Sequence, residues 1–253
     1  MISRDDRKPR LGIPYRTRNE ELKGDFAKLE KYIESVRQAG AEAVVISLGL
    51  SPAHLGKIAH TLDGVVLPGS PADVNPSHFG AVRHAKCVDS DPERERTDFL
   101  LLEHCLAEKK PIVAICYGLQ SLNVFCSGTL VQDIASELET TIEHDGDDRP
   151  GAPERTHTVG IEANSRLAEM ADGQQALVNS SHHQSIREPG RNLRVVSRAR
   201  DSVIEAVEWD SHANWVMGVQ WHPERMVETD SFARRLFSDL VAVAAMRKTP
   251  ARA

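Results

Sequence analysis

Nothing in this sequence is long and apolar enough to cross a bilayer. No run of about 18 apolar residues occurs, and the charged N-terminus, MISRDDRKPR, lacks the apolar stretch of a signal peptide. Those absences lead to the expectation of a cytoplasmic chain with no membrane partner. Nor is there an excess of positive charge: Lys and Arg total 31 against 37 Asp and Glu, and a net charge of −6 offers no bulk attraction to nucleic acid. Cysteine is scarce. The 4 cysteines, at positions 87, 105, 116 and 126, show neither CxxC spacing nor the density of a disulfide scaffold, so free thiols are expected. With no Pro/Gly/Ser-rich block and no internal repeat to divide it, the chain reads as one domain over residues 1–253.

What is present is the balance of a soluble globular protein, 40% hydrophobic and 27% charged. RLGIPY (10–15) reads as a first strand, followed by an amphipathic helix carrying Phe26, Leu29, Ile33 and Val36 up to Gly40. AVVISL (43–48) has the composition of a strand buried on both faces, 52–62 looks helical, and GVVL (64–67) is a third strand. Residues 68–92 have loop composition, and Phe99, Leu102, Cys105 and Leu106 then mark another helix. PIVAIC (111–116) is a buried strand running directly into YGLQSLNVFCSG.

Strands alternating with helices predict an α/β fold: a mostly parallel central sheet flanked by helices. The second half changes character. HTVGIEA, QALVNS, NLRVVSRA, VIEAVEW and WVMGVQW look like short strands joined by polar turns, so antiparallel hairpins are expected to extend the sheet before a final helix over Phe232, Leu236, Leu240 and Val243. Residues 139–155 are polar and predict a mobile surface loop, and KTPARA at the end predicts a frayed tail.

Three strings carry chemistry. Cys116 sits where a buried strand meets a helix, the kind of turn that presents a nucleophile above a sheet, with small Ala114 and Gly118 to either side. There the helix N-terminus favours a thiolate, and the N–H after the nucleophile faces a developing oxyanion. The other three cysteines lack this setting and read as buried hydrophobes. In GVQWHPE (218–224), Pro223 disfavours helix at His222, and residues two apart on an extended segment point the same way, so His222 and Glu224 can serve one site. The glycine turn LPGSP (67–71), at the end of an apolar strand, is an ordinary turn by itself and an oxyanion donor if it lies beside the elbow.

Together with RLGIPY, AGAEAVVISL, LDGVVLPGSPADVNP, PIVAICYGLQSLNV, SGTLVQDI, a His-x-Val strand at His157, VNSSHHQ and IEAVE, these strings resemble the class I glutamine amidotransferase superfamily along nearly the whole chain. The resemblance is closest to its free-standing branch, peptidase family C26, and within that to γ-glutamyl-γ-aminobutyrate hydrolases, through the PGSP turn, the CxGLQ elbow and the NSxHxQ segment. It implies a flavodoxin-like fold, no cofactor, a small-molecule γ-glutamyl substrate, and a triad of nucleophile Cys116, base His222 and orienting acid Glu224. It also implies an oxyanion hole from the backbones of Gly69, Ser70 and Tyr117, and a γ-glutamyl pocket lined by Gln120, Ser181, His182 and Gln184. Two departures from the pattern, Ala114 for a glycine and Ser127-Gly128 for a Gly-Gly pair, leave room for a tight elbow.

His183 has no assigned role. No metal is expected, because adjacent His182 and His183 point to opposite faces and no carboxylate or cysteine ligand set accompanies them. The competing readings are a glutaminase subunit supplying ammonia to a separate synthetase, and a catalytically silent sensor that keeps the pocket. The PGSP and NSxHxQ segments, and the lack of a fused synthetase portion, favour the hydrolase. An unrelated α/β-hydrolase is disfavoured because Glu224 follows the histidine. The identity of the released amine and any homo-oligomerisation stay open at this level.

Overall fold

Short runs of branched apolar residues build the centre of the molecule. A computed structural model describes residues 7–146, 153–171, 173–211 and 213–246. Within it β3 (Gly64–Leu67) and β4 (Ile112–Ile115) are buried at every position. Such strands need cover on both faces. Residues of β4 alternate accordingly: Val113 and Ile115 join a core containing α2 (Leu29–Gln38) and α6 (Ser231–Met246), while Ile112 and Ala114 join one containing α3 (Pro52–Thr61), α4 (Pro92–Ala107) and α5 (Tyr117–Phe125).

Parallel pairing runs through β2 (Glu42–Ile46), β1 (Arg10–Pro14), β3, β4 and β11 (Val216–Val219), in that spatial order. The order is that of a flavodoxin-like sheet, in which sites form beyond the C-terminal strand ends. Antiparallel strands continue it: β10 (Ile204–Trp209), β9 (Leu193–Ala199), β6 (Arg155–Ile161) and β7 (Gln175–Ser180). Off this path β8 (Ser185–Glu188) pairs with both β10 and β5 (Thr129–Val131). The fold is therefore α/β, parallel in its first half, antiparallel in its second, and flanked by helices, as the residue pattern predicts.

Four local expectations change. AVVISL does not lie buried on both faces: β2 begins at Glu42 and forms the sheet edge, so Val45 is 36% exposed. Phe26 stays outside α2, stacked near Tyr15, because a separate helix, α1 (Arg18–Lys23), ends just before it at Gly24, φ 64°. WVMGVQW is a hairpin partner of β10 but also pairs in parallel with β4, which brings the segment after it into the middle of the sheet. The polar stretch 139–155 is no simple surface loop. Its residue His144 is buried, while 147–152, like KTPARA, lies outside the described residues. Among the described residues no helix is long and apolar enough to cross a membrane.

Candidate active site

The strand β4 ends at Cys116, whose backbone is held at φ 52°, ψ −108°. This left-handed torsion is costly for a residue with a side chain and persists only when its surroundings enforce it. Here the Cys116 N–H donates to the Val219 carbonyl at 2.8 Å, and α5 begins at the next residue. The helix packs so close to β3 that a Cβ at Gly118 would stand 2.3 Å from the Leu67 carbonyl oxygen. Glycine at 118 is thus a condition of the elbow.

The PGSP turn lies beside it. A Cβ at Gly69 would meet His222 Cε1 at 2.8 Å, the Tyr32 hydroxyl at 3.0 Å and Cys116 Cβ at 3.5 Å, so four segments of chain converge on this one glycine. Buried Arg94 pins the turn. It ion-pairs with Asp98 at 2.8 Å, donates to the Pro68 and Arg16 carbonyls at 2.5 and 2.9 Å, and lies over the Tyr117 ring. Arg16 Nε donates to the Gly69 carbonyl at 3.0 Å.

From the end of β11, His222 is fixed by Asn179, which accepts the His222 N–H at 2.7 Å and donates to its carbonyl at 2.9 Å. Its Nδ1 stands 2.8 Å from Glu224 Oε1, and Cys116 lines the same cavity as the ring. Pro223 keeps His222 out of helical geometry as expected, but Glu224 reaches it from a 3₁₀ turn, Pro223–Arg225, rather than along an extended strand. Burial opposes charge on the imidazole, yet the Glu224 carboxylate and the Cys116 sulfur outweigh it and raise the His222 pKa to about 9. For Glu224, burial works upward and the imidazolium downward. The net is a carboxyl held below its usual range.

Burial foremost pushes the Cys105 thiol up to about 12 and Cys126 up to about 11, where neither is a useful nucleophile. Cys87 is raised as well, by burial and then by Asp73.

A cavity of about 350 Å³ opens above Cys116 and His222, and Ser70, Gln120, Ser181, His182 and Gln184 all line it. Gly69, Tyr117 and Glu224 stand behind this wall. The Gly69 N–H donates to the Tyr32 hydroxyl at 3.1 Å, so of the three expected oxyanion amides this one already has an acceptor. Two pocket amides are also engaged: Gln120 Nε2 with the Gln184 carbonyl and Gln220 Oε1, both at 3.3 Å, and Gln184 Nε2 with the Gln132 carbonyl at 3.0 Å. His183 acquires a position. Its ring bridges Asp73 at 3.0 Å and Asp133 at 3.5 Å, and those carboxylates, Asp73 foremost, raise its pKa.

Sequence reasoning missed Tyr32, Arg16, Arg94 and Asn179, of which only Asn179 stood in a quoted motif. It also missed a carboxylate for His182. Glu205 Oε1 lies 3.6 Å from His182 Nε2, and His144, His182 and Glu205 form a buried trio able to hold a metal, while His60 and Glu108, both exposed, and half-buried His104 form another such group.

The family model for peptidase C26 matches residues 12–224. The γ-glutamyl-γ-aminobutyrate hydrolase of Escherichia coli O157:H7 is 33% identical over 219 residues, 84% of each chain. A glutamine amidotransferase-like protein of Lactococcus lactis is 31% identical over 231 residues, 90% of this chain and 94% of that one. Among solved structures, a Thermoplasma acidophilum protein described as a GMP synthase subunit superposes with a TM-score of 0.64 at 12% identity, covering 94% of this chain and 95% of that one, a likeness of fold alone. With its model matched from the first strand to the last residue of the HPE string, the chain belongs to the peptidase C26 family.

Proposed function

We propose that this chain, acting as a single domain, is a cysteine hydrolase that cleaves γ-glutamyl amide bonds, γ-glutamyl-γ-aminobutyrate among them, through a thioester on Cys116. The observation that carries the reading is that Cys116 and His222 line one cavity with Glu224 behind the imidazole, the nucleophile on a strained elbow and the imidazole charged at neutral pH.

In this mechanism Cys116 Sγ attacks the γ-carbonyl carbon, and the oxyanion is met by the backbone amides of Tyr117, at the start of α5, and Ser70. The C–N bond breaks as His222 gives its proton to the departing amine, leaving a glutamyl thioester and a neutral imidazole. With the sulfur now acylated, one of the influences raising the His222 pKa is gone. The ring is then suited to take a proton from water as that water attacks the thioester. Glutamate leaves, and the proton returns to the thiol–imidazole pair. Glu224 holds the ring with Nδ1 toward itself, so that Nε2 faces the sulfur.

The substrate class finds support in the cavity's charge. Arg16, Lys28, Lys86 and Arg225 line it against the carboxylates Asp73 and Asp145; Asp73 is paired with His183, Arg16 with Glu20, and Arg225 with Glu154 and Glu224. An amine bearing its own carboxylate gains from such a wall, whereas departing ammonia does not. The hydrolase names of relatives about one-third identical are consistent with this.

The test is kcat/KM for γ-glutamyl-γ-aminobutyrate against glutamine, with no other protein present. The reading expects the former to be preferred. A preference for glutamine that rises sharply on adding a synthetase would replace it with a glutaminase subunit, and binding without any turnover would replace it with a sensor.

A further inference from the structure

Beside the catalytic cavity, three buried histidines with no part in the proposed reaction steps meet around one carboxylate. Glu205 on β10 is fully buried, and His144, His157 and His182 surround it. Its Oε1 lies 3.3 Å from His144 Nδ1, 3.6 Å from His182 Nε2 and 3.0 Å from His157 Nε2.

The outer nitrogens decide what the inner ones can be. His144 Nε2 stands 2.8 Å from the Asp201 carboxylate, and His182 Nδ1 stands 3.0 Å from the Gln184 carbonyl. Both partners accept only, so each of these outer nitrogens carries a hydrogen. A neutral imidazole then turns a lone pair inward. His144 Nδ1, His182 Nε2 and Glu205 Oε2 are all buried, and none has a hydrogen-bond partner among the described residues. Two lone pairs facing a carboxylate out of contact with water are unfavourable unless a second proton on the ring or a metal cation stands between them.

We propose that His144 Nδ1, His182 Nε2 and the Glu205 carboxylate bind a divalent ion of the zinc class. Imidazole and carboxylate donors suit that ion. Its bonds of about 2.0–2.1 Å set the corners of a tetrahedron about 3.3 Å apart. The inner atoms of the trio lie within 4.8 Å of one another, with nitrogen-to-oxygen separations of 3.3 and 3.6 Å.

Asp201 and the Gln184 carbonyl hold the outer nitrogens in the way that supporting partners of metal-bound histidines do, and His157 orients Glu205. A second cavity of about 480 Å³, lined by Thr140, Ile142, His144, Arg155 and His182 among others, gives the ion a way in. Bound there, it joins the 139–146 segment, the connection between β7 and β8, and β10. It thereby stiffens the Ser181–Gln184 wall of the catalytic cavity.

The probe is cobalt(II) or zinc(II) alone, added to the chelator-treated full chain, and the readouts are the tetrahedral cobalt spectrum, metal content and Tm. One equivalent per chain is expected, with a tetrahedral spectrum and a higher Tm. Glu205→Gln should weaken binding at least tenfold, and Asp201→Asn by tenfold to a hundredfold. Cys116→Ala and the pair His60→Ala/His104→Ala should leave this equivalent in place. If Glu205→Gln does not fold, anomalous diffraction at the zinc edge from zinc-treated wild-type crystals locates the ion. A folded wild-type chain that takes up no metal, or a zinc peak at Cys116, at His222 or at the His60, His104 and Glu108 group alone, overturns the proposal, whatever the hydrolase assay shows.

Discussion

The Tyr32 hydroxyl accepts the Gly69 N–H at 3.1 Å and lies 3.4 Å from His222 Nδ1, tying α2, the PGSP turn and the His-Pro-Glu segment to one oxygen. Burial and then Glu224 hold its phenol pKa well above the ordinary value, so the hydroxyl keeps its proton. Tyr32→Phe leaves a buried N–H without its acceptor, at a cost of about 1–3 kcal/mol. Urea unfolding should report that loss. Under the proposed mechanism kcat should also fall, by roughly tenfold (about 1.4 kcal/mol), because the imidazole–carboxylate pair loses a neighbour. Wild-type values of both quantities would show the oxygen to be unimportant.

Cys116→Ala should abolish turnover, whereas Cys87→Ala, Cys105→Ala and Cys126→Ala should retain most of it. Only Cys116 combines a strained elbow with a place beside His222 in the cavity. Alkylation followed by peptide mapping checks the same point, and inactivating modification at another cysteine would contradict it.

In the proposed mechanism His222 transfers protons and Glu224 only orients it, so His222→Ala should be slower than Glu224→Gln. The two also differ in pH dependence. In the wild type, His222 holds its proton at neutral pH and loses it as pH rises through about 9, so kcat/KM should fall on the alkaline side near that pH. In Glu224→Gln the larger of the influences that raise this pKa is gone, while the Cys116 sulfur still raises it and burial still lowers it. The alkaline limb should therefore move down from about 9. An unmoved limb in an active Glu224→Gln enzyme would mean that another group sets it.

Gly118→Ala tests the elbow. The added methyl would have to displace the Leu67 backbone, which it would approach at 2.3 Å, and overpacking of this kind costs about 1–3 kcal/mol or more. A lowered Tm together with lost activity is expected. An unchanged Tm would mean that α5 shifts freely against β3.

The elbow was legible in the sequence because every part of it is local: a buried apolar run, a cysteine, then a helix opening with a small residue. The parallel half of the sheet was legible for the same reason, since GVVL and PIVAIC are apolar without alternation. What escaped was non-local. Tyr32 lies 190 positions from His222, and its place in the α2 sequence shows no more than a side chain on a buried helix face. His144 sits in a polar stretch, and only the pairing of β10 with its neighbours brings Glu205 beneath it. AVVISL has the composition of a central strand, and strand order alone makes it an edge. The convergence of His222 and Glu224 was foreseen, though the 3₁₀ turn that produces it was not.

Intact-protein mass spectrometry of an acid-quenched reaction with γ-glutamyl-γ-aminobutyrate tests for the glutamyl thioester proposed on Cys116. The expected result is a transient species heavier by one glutamyl group, which maps to the peptide containing Cys116, is absent from Cys116→Ala, and is discharged by hydroxylamine. Sustained turnover by Cys116→Ala, or an adduct mapped to any other residue, would contradict it.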